Sequence, residues 1–305
     1  MAEKSSVDLS VKLGGLELVN PVIAASGTFG YGLEYAPFVD LNRLGAFSTK
    51  GLSLKPKIGN VVPRVLETPS GMLNSIGLEN IGLEKFLSEK LPKLQNYKMR
   101  LLVNFFGESV EEFAEMASAL SGVDRIDALE MNISCPNVDE GGLLFSSGQG
   151  IVQKVVEKVR KKTDKFLIVK LSPNVTDITE IARAAEHAGA DALSLINTCV
   201  GMAIDLETRK PYLGNITGGL SGPAIKPLAL NMVYQTVRAV KITVIGMGGI
   251  ASAEDALEFL LTGAKAVQIG TANLFDPSVT MKVIDGLIRY CESRGIGKIS
   301  DLKMS

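Results

Sequence analysis

Polar side chains stand at the ends of short apolar runs along this chain of 305 residues. Ser26, Lys50, Asn104, Asn132, Lys170 and Asn197 each close such a run, and Gly246 and Gly270 close two more. Six of these eight ends are polar and none is acidic. A set with two lysines and three asparagines, but no carboxylate or histidine cluster, is poor for a divalent cation, which needs anionic or imidazole ligands. No metal site is therefore expected. Ammonium groups and amides suit an anionic, planar ligand with many hydrogen-bonding atoms.

Two glycine clusters add a second kind of chemistry. Gly246-Met-Gly-Gly249 and Gly270-Thr-Ala-Asn273 follow the last two apolar runs. Glycine lets backbone N–H groups approach phosphate oxygens closely, and a helix N-terminus favours the negative charge. Either cluster alone could be a tight turn; their joint placement points to a phosphate-bearing ligand. No G-x-G-x-x-G follows the first run, so the dinucleotide fingerprint is absent.

Groups able to move a proton are scarce. The one histidine, His187, falls near the end of a helical segment, where it faces outward or caps the helix. Proton transfer is then left to Cys, Lys, Tyr or a loop acid. Cys135, in Asn132-Ile-Ser-Cys-Pro-Asn137, is the best placed, because it follows a run end and precedes a proline-anchored loop. A lone cysteine is more often an inert buried residue. Cys199 is a weaker candidate of the same kind.

The elements that must position these groups form an alternation. Strands are predicted at Val22–Ser26, Ala46–Lys50, Leu101–Asn104, Ala128–Asn132, Phe166–Lys170, Ala192–Asn197, Thr243–Gly246 and Ala266–Gly270. Several are apolar without alternation, as strands buried on both faces are. Helical periodicity covers Val110–Leu120, Gly150–Lys162, Thr176–Ala188, Ala224–Val240 and Ala253–Leu261, with Asp177 and Ser252 as start signals and Gly189 and Gly263 as stops. Upstream, Leu9–Leu13 and Leu16–Val19 flank Gly14-Gly15, a hairpin signal that could close the bottom of a barrel. Alternating strand and helix implies parallel strands with right-handed crossovers, and eight units favour closure into a (β/α)₈ TIM barrel. A doubly wound open sheet is the alternative. The long connections 51–99, 133–149 and 198–223 all follow a strand and in a barrel gather at the C-terminal face, where barrel enzymes place their sites. With no linker, repeat or low-complexity segment, residues 1–305 read as one domain.

Bulk properties narrow the partners. Apolar residues make up 46% of the chain and charged residues 21%, and the net charge of −1 leaves no footprint for nucleic acid or an anionic membrane. The basic run Lys158, Arg160, Lys161, Lys162 and Lys165, broken by Asp164, reads as the solvated end of a helix. Three cysteines (Cys135, Cys199 and Cys291) form no paired spacing, so a reducing compartment is expected. The start, Met1-Ala-Glu-Lys-Ser-Ser, lacks a signal-peptide core, and no apolar segment is long enough to span a bilayer; the cytoplasm is the default.

Nearly the whole chain resembles the catalytic subunits of class 1B, NAD-linked dihydroorotate dehydrogenases. The resemblance is carried by Ser48-Thr-Lys-Gly51, Met72-Leu-Asn-Ser-Ile-Gly-Leu-Glu-Asn80, Asn132-Ile-Ser-Cys-Pro-Asn137, Val169-Lys-Leu-Ser-Pro-Asn174 and Ile196-Asn-Thr198. Gly218-Gly-Leu-Ser-Gly-Pro-Ala-Ile-Lys-Pro227, Gly246-Met-Gly-Gly-Ile250 and Gln268-Ile-Gly-Thr-Ala272 complete it. It implies an FMN-binding barrel that oxidises (S)-dihydroorotate to orotate in de novo pyrimidine biosynthesis. By that resemblance FMN contacts are Ser26, Lys50, Gly51, Asn104, Asn132, Lys170, Ile196, Gly222, Gly248, Gly249, Gly270 and Thr271. The orotate ring is held by Lys50, Asn74, Ser75, Ile76, Gly77, Leu78, Asn132, Asn197 and Thr198, and Cys135 takes the position of the catalytic base.

Subclass follows from two stretches, Asn137–Phe145 and Gly201–Pro211, that look like the NAD-linked class. The class implies a homodimer joined to a second subunit carrying FAD and a [2Fe–2S] cluster, as a heterotetramer. No cluster-ligand cysteines occur in this chain, consistent with a separate carrier. Phe105-Phe106 and Ser146-Ser-Gly148 depart from the family's pattern. Other readings stay open. A related flavin-dependent dihydropyrimidine or dihydrouridine reductase is one, although the RNA-directed version needs a basic patch. A Schiff-base aldolase using Lys170 is another, and a barrel that only binds a phosphate ligand is a third.

Overall fold

The computed structural model describes residues 7–134 and 148–304. Eight parallel strands close into a barrel. They are Val22–Ala24 (β1), Ala46–Ser48 (β2), Arg100–Phe105 (β3), Ala128–Asn132 (β4), Phe166–Lys170 (β5), Ala192–Leu195 (β6), Thr243–Met247 (β7) and Ala266–Ile269 (β8). Closure is made by β1, which pairs Ile23 with Ala46 of β2 on one side and Val22 with Val267 of β8 on the other. The open sheet is thereby excluded. Nearly every strand residue is buried, because one face fills the barrel and the other meets the helices.

Strand ends differ from the sequence expectation by one or two residues. Ser26, Lys50, Asn197 and Gly270 lie just past the paired segments, where loop bonds replace the ladder: Lys50 N–H donates to Gly30 O at 2.9 Å and Asn197 N–H to Leu171 O at 3.0 Å.

The helices begin and end where local chemistry directs. Asp177 accepts from Thr179 N at 2.8 Å ahead of Ile178–His187, and Ser252 forms a reciprocal capping box with Asp255 ahead of Ala253–Leu261. Gly189 and Gly263 adopt positive φ after those helices, which only glycine does without strain. Lys226–Ala239 starts two residues later than its periodicity implies, after a short 3₁₀ turn at Pro223–Ile225. Lys158, Lys161 and Lys162 are exposed as expected, but Arg160 is half-buried, bonding Asp191 at 2.9 Å and Lys165 O at 2.9 Å. A basic run can therefore include a structural arginine that composition alone does not separate.

The N-terminal hairpin pairs Val11–Leu13 with Leu16–Leu18 across a turn in which Gly14 has φ +59°. Its apolar residues Val11, Leu13, Leu16 and Leu18 are buried, while Lys12 and Glu17 face out. Arg100, first residue of β3, donates to Glu17 O at 3.1 Å, and Gly14 packs on Phe166, first residue of β5. The hairpin thus sits under the N-terminal end of the barrel.

The larger departure lies at the other end. Two of the long connections, after β2 and after β6, meet in a four-stranded antiparallel sheet ordered Cys199–Met202, Thr217–Ser221, Gly71–Asn74, Val65–Thr68. Thr217-Gly-Gly-Leu-Ser221 and Gly71-Met-Leu-Asn74 carry few β-branched residues, so propensity does not mark them. Pairing between segments more than a hundred residues apart does, with Gly219 opposite Asn74 and Ser221 opposite Met72. Two further helical segments, Leu83–Leu94 with a π turn at Phe86–Lys90 and Val279–Ser293, were not expected from the sequence pattern.

Candidate active site at the barrel mouth

Parallel closure puts the C-terminal ends of all eight strands on one rim. Each side chain two residues apart on a strand faces the same way, so the inward layer below the rim can be read off strand by strand. Ser48, Asn104, Glu130, Asn132, Lys170, Ser194 and Gln268 are all buried.

Glu130 is the group that reading strand ends alone passed over. It lies two residues before Asn132 on β4 and is fully buried. One carboxylate oxygen accepts from Ser48 Oγ and Asn104 Nδ2, both at 2.7 Å. The other accepts from Ser194 Oγ at 2.9 Å and Gln268 Nε2 at 2.6 Å. Burial pushes this carboxyl up, but the Lys170 charge and the bonds from Ser48, Gln268 and Asn104 outweigh it and hold it below its ordinary value. The signal was present in sequence as a lone acid inside the apolar run Ala128-Leu-Glu-Met-Asn132.

The amide polarity follows from that carboxylate. With Nδ2 committed to Glu130, Asn104 Oδ1 turns toward Gly51, close to where a β-carbon on that residue would stand. Asn104 Oδ1 and Gln268 Oε1 are buried without a hydrogen-bond partner. An acceptor left this way costs about 1–3 kcal/mol unless a donor reaches it.

Around the rim the expected residues converge in three groups. After β7, Gly248 and Gly249 have φ +124° and +77°, and Gly222 has φ +93°. A β-carbon on Gly249 would stand 2.9 Å from Gly222 O and from Lys226 N, and one on Gly248 would stand 3.3 Å from Ile196 Cγ1. Only glycine allows these loops to pack so closely. Beside them, Thr271 Oγ1 and Ser221 Oγ lie 2.7 Å apart, joining the end of β8 to the mouth sheet. Asn273, which the sequence reading did not single out as a site residue, is fully buried; its Nδ2 donates to Ile269 O of β8 at 2.8 Å and to Thr28 Oγ1, past β1, at 3.4 Å.

A second group gathers Asn74, Asn197 and Thr198. Asn74 Nδ2 donates to Gly219 O at 3.4 Å, and Gly219 has no room for a β-carbon because Thr198 occupies that place. Thr198 N–H is held by Asn197 Oδ1 at 2.9 Å, and Asn174 Nδ2 donates to Thr198 O at 3.0 Å. The loop that follows Asn74 is braced from below: Ser75 N–H donates to Arg64 O at 2.7 Å, Asn60 Nδ2 to Ser75 Oγ at 2.9 Å, and Asn60 N–H to Ile76 O at 3.1 Å. Gly77 and Leu78 both take positive φ there, at 73° and 56°. Ser75 is buried, its hydroxyl engaged within the loop.

The third group is cationic. Lys170 is 6% exposed, and its ammonium makes no hydrogen bond among the described residues. Lys50 is half-buried at the end of β2. Ser26 is half-buried past β1, and Asn132 accepts from Ser134 N at 3.2 Å. Cys135 lies outside the described residues, as do 136–147. His187 ends its helix exposed, and burial pushes the half-buried Cys199 thiol up. Phe105 packs on Phe113, ring centroids 6.1 Å apart, and Phe106, just past β3, lies beside Gly51. Among the described residues no group of three or more His, Cys, Asp or Glu could hold a metal ion, and no helix is long and apolar enough to cross a membrane.

A closed parallel barrel whose rim combines glycine turns with buried amides and a buried lysine has the architecture of (β/α)₈ enzymes, which place their sites at the C-terminal face. The dihydroorotate dehydrogenase profile matches residues 8–290, and the chain belongs to that family. It is 57% identical over 295 residues to dihydroorotate dehydrogenase B (NAD(+)), catalytic subunit, of Pelobacter propionicus, covering 97% of each chain. The proteins of the same description from Trichlorobacter lovleyi and Parabacteroides distasonis are 57% and 55% identical, over 96% and 97% of this chain and 97% of each relative.

Proposed function

We propose that this chain is the catalytic subunit of an NAD-linked dihydroorotate dehydrogenase, an oxidoreductase of pyrimidine biosynthesis that converts (S)-dihydroorotate to orotate. The near full-length likeness to relatives of that description carries the reading. The whole of residues 1–305 serves as one FMN-binding barrel domain in the cytoplasm. A homodimer of it joins a separate subunit bearing FAD and a [2Fe–2S] cluster, and electrons pass from there to NAD⁺.

The residues fit FMN on two counts. Gly222, Gly248 and Gly249 form a turn that tolerates no β-carbon, and with Gly270 and Thr271 beside it this end of the rim is suited to a phosphate. The partnerless Asn104 Oδ1 and Gln268 Oε1 are acceptors of the kind an N–H-bearing heterocycle satisfies. Ser26, Lys50, Gly51, Asn132, Lys170 and Ile196 complete the contacts. FMN, when bound, supplies the acceptor for the hydride that leaves C6 of the substrate.

The chain's own groups do the rest. Asn74, Ser75, Ile76, Gly77, Leu78, Asn197 and Thr198 hold the pyrimidine ring with Lys50 and Asn132, and the lysines favour its carboxylate. Cys135 as thiolate takes the C5 proton, so loss of one proton and one hydride leaves the double bond of orotate. Purified protein is expected to be yellow and to bleach stoichiometrically when titrated anaerobically with dihydroorotate. A colourless protein, or a flavin band that dihydroorotate leaves unchanged while uracil-type dihydropyrimidines bleach it, overturns the proposal.

A further inference from the structure

We propose that Glu130 is a positioning residue for the flavin site: its buried carboxylate is the fixed counter-charge of Lys170, and through that charge it sets how readily bound flavin accepts electrons. The inference rests on the FMN reading above and deepens it.

Glu130 has no access to solvent. Burying a carboxylate is costly unless it is paired and fully hydrogen-bonded. Here four donors from β2, β3, β6 and β8 supply two bonds to each oxygen. Lys170 from β5 supplies the opposite charge. β1 and β7 contribute no titratable side chain to the barrel interior. Glu130 is registered with Ile168, and Lys170 stands two residues further toward the rim, paired with Asn132 on the neighbouring strand. Its ammonium is therefore the link between a sealed negative charge and the ligand side of the rim.

The physical consequence has a definite sign. Hydride transfer adds negative charge to the isoalloxazine ring. A fixed anion beneath Lys170 offsets part of the lysine's attraction for that charge and lowers the tendency to be reduced. Neutralising Glu130 leaves Lys170 uncompensated and favours the reduced flavin. A purely structural hub predicts no such effect once the cofactor is in place.

The test is the midpoint potential of FMN in purified holoprotein, measured anaerobically with a reference dye, for the parent, Glu130→Gln and Glu130→Asp. Glu130→Gln is expected to favour reduction by roughly tenfold in the equilibrium, about 30 mV upward for a two-electron couple. Glu130→Asp keeps the charge and is expected to stay near the parent, although both variants melt at lower temperature. A flavin-loaded Glu130→Gln whose potential matches the parent's overturns the inference and leaves Glu130 a structural hub.

If Glu130→Gln fails to fold, the double variant Ser48→Ala/Ser194→Ala decides. It keeps every charge but removes two donors, so Glu130 takes up a proton at higher pH. Its potential is expected to rise above the parent's as the pH is lowered, and superimposable potential–pH lines overturn the inference. Failure of the underlying reading is distinct: the parent itself then carries no flavin.

Discussion

Cys135 is one of three cysteines, and the other two are poor bases for stated reasons. Cys291 is fully buried on the inner face of the helix Val279–Ser293, and burial raises its thiol as it does that of Cys199. A base must lose its proton near neutral pH, and neither environment helps that. Removing the base slows proton transfer by about 10²–10⁴-fold while leaving binding groups in place. Cys135→Ala is thus expected to stay yellow and bind orotate, with flavin reduction slowed by that order. Stopped-flow bleaching at the parent's rate would remove Cys135 from the mechanism.

Secondary-structure elements divide the labour. The barrel strands hold the inner layer in place through buried, doubly covered backbone, while the mouth sheet brings Asn74 and Thr198 to one spot from loops far apart in sequence. Gly219 is the contact point, since a β-carbon there would collide with Thr198. Gly219→Ala is accordingly expected to displace Thr198 and weaken orotate binding by about tenfold, the equivalent of ~1.4 kcal/mol. Gly248 and Gly249 lie on a different loop, although Gly222 beside them follows the same strand that holds Gly219, so FMN affinity is expected to fall less than orotate affinity. Equal loss of flavin and orotate affinity, read by fluorescence and difference spectra, contradicts this division between loops.

At the scale of the whole molecule, the sealed carboxylate links pH to stability. Glu130 is held below its ordinary pKa in the folded chain, mainly against the opposing push of burial, by Lys170 and its donors. A group with a depressed folded pKa stabilises fully above its unfolded value, about 4.3, and that contribution disappears as pH falls toward the folded value. Chemical denaturation from pH 7 to 3 is expected to show an acid limb that is shallower in Glu130→Gln than in the parent, from a lower starting stability. Identical slopes in the two proteins would show that Glu130 does not titrate on unfolding.

How much was legible before folding depends on the range of the interaction. Local patterns sufficed for the eight strands, the hairpin over Gly14, the caps at Asp177 and Ser252, and the glycine stops, because each is decided by neighbours a few residues away. Strand order along the chain, joined to the rule that crossovers are right-handed, then placed Lys50, Asn104, Asn132, Lys170 and the two glycine clusters on one rim. Only tertiary structure decided the rest. Glu130 acquires its role from donors on four other strands, and the mouth sheet exists because Gly71–Asn74 finds Thr217–Ser221 across the barrel. The lone acid in Ala128–Asn132 marks a position but not its role, and the glycine-rich strands leave no mark, since a buried charge and a glycine-rich strand are each unfavourable until the distant partner arrives.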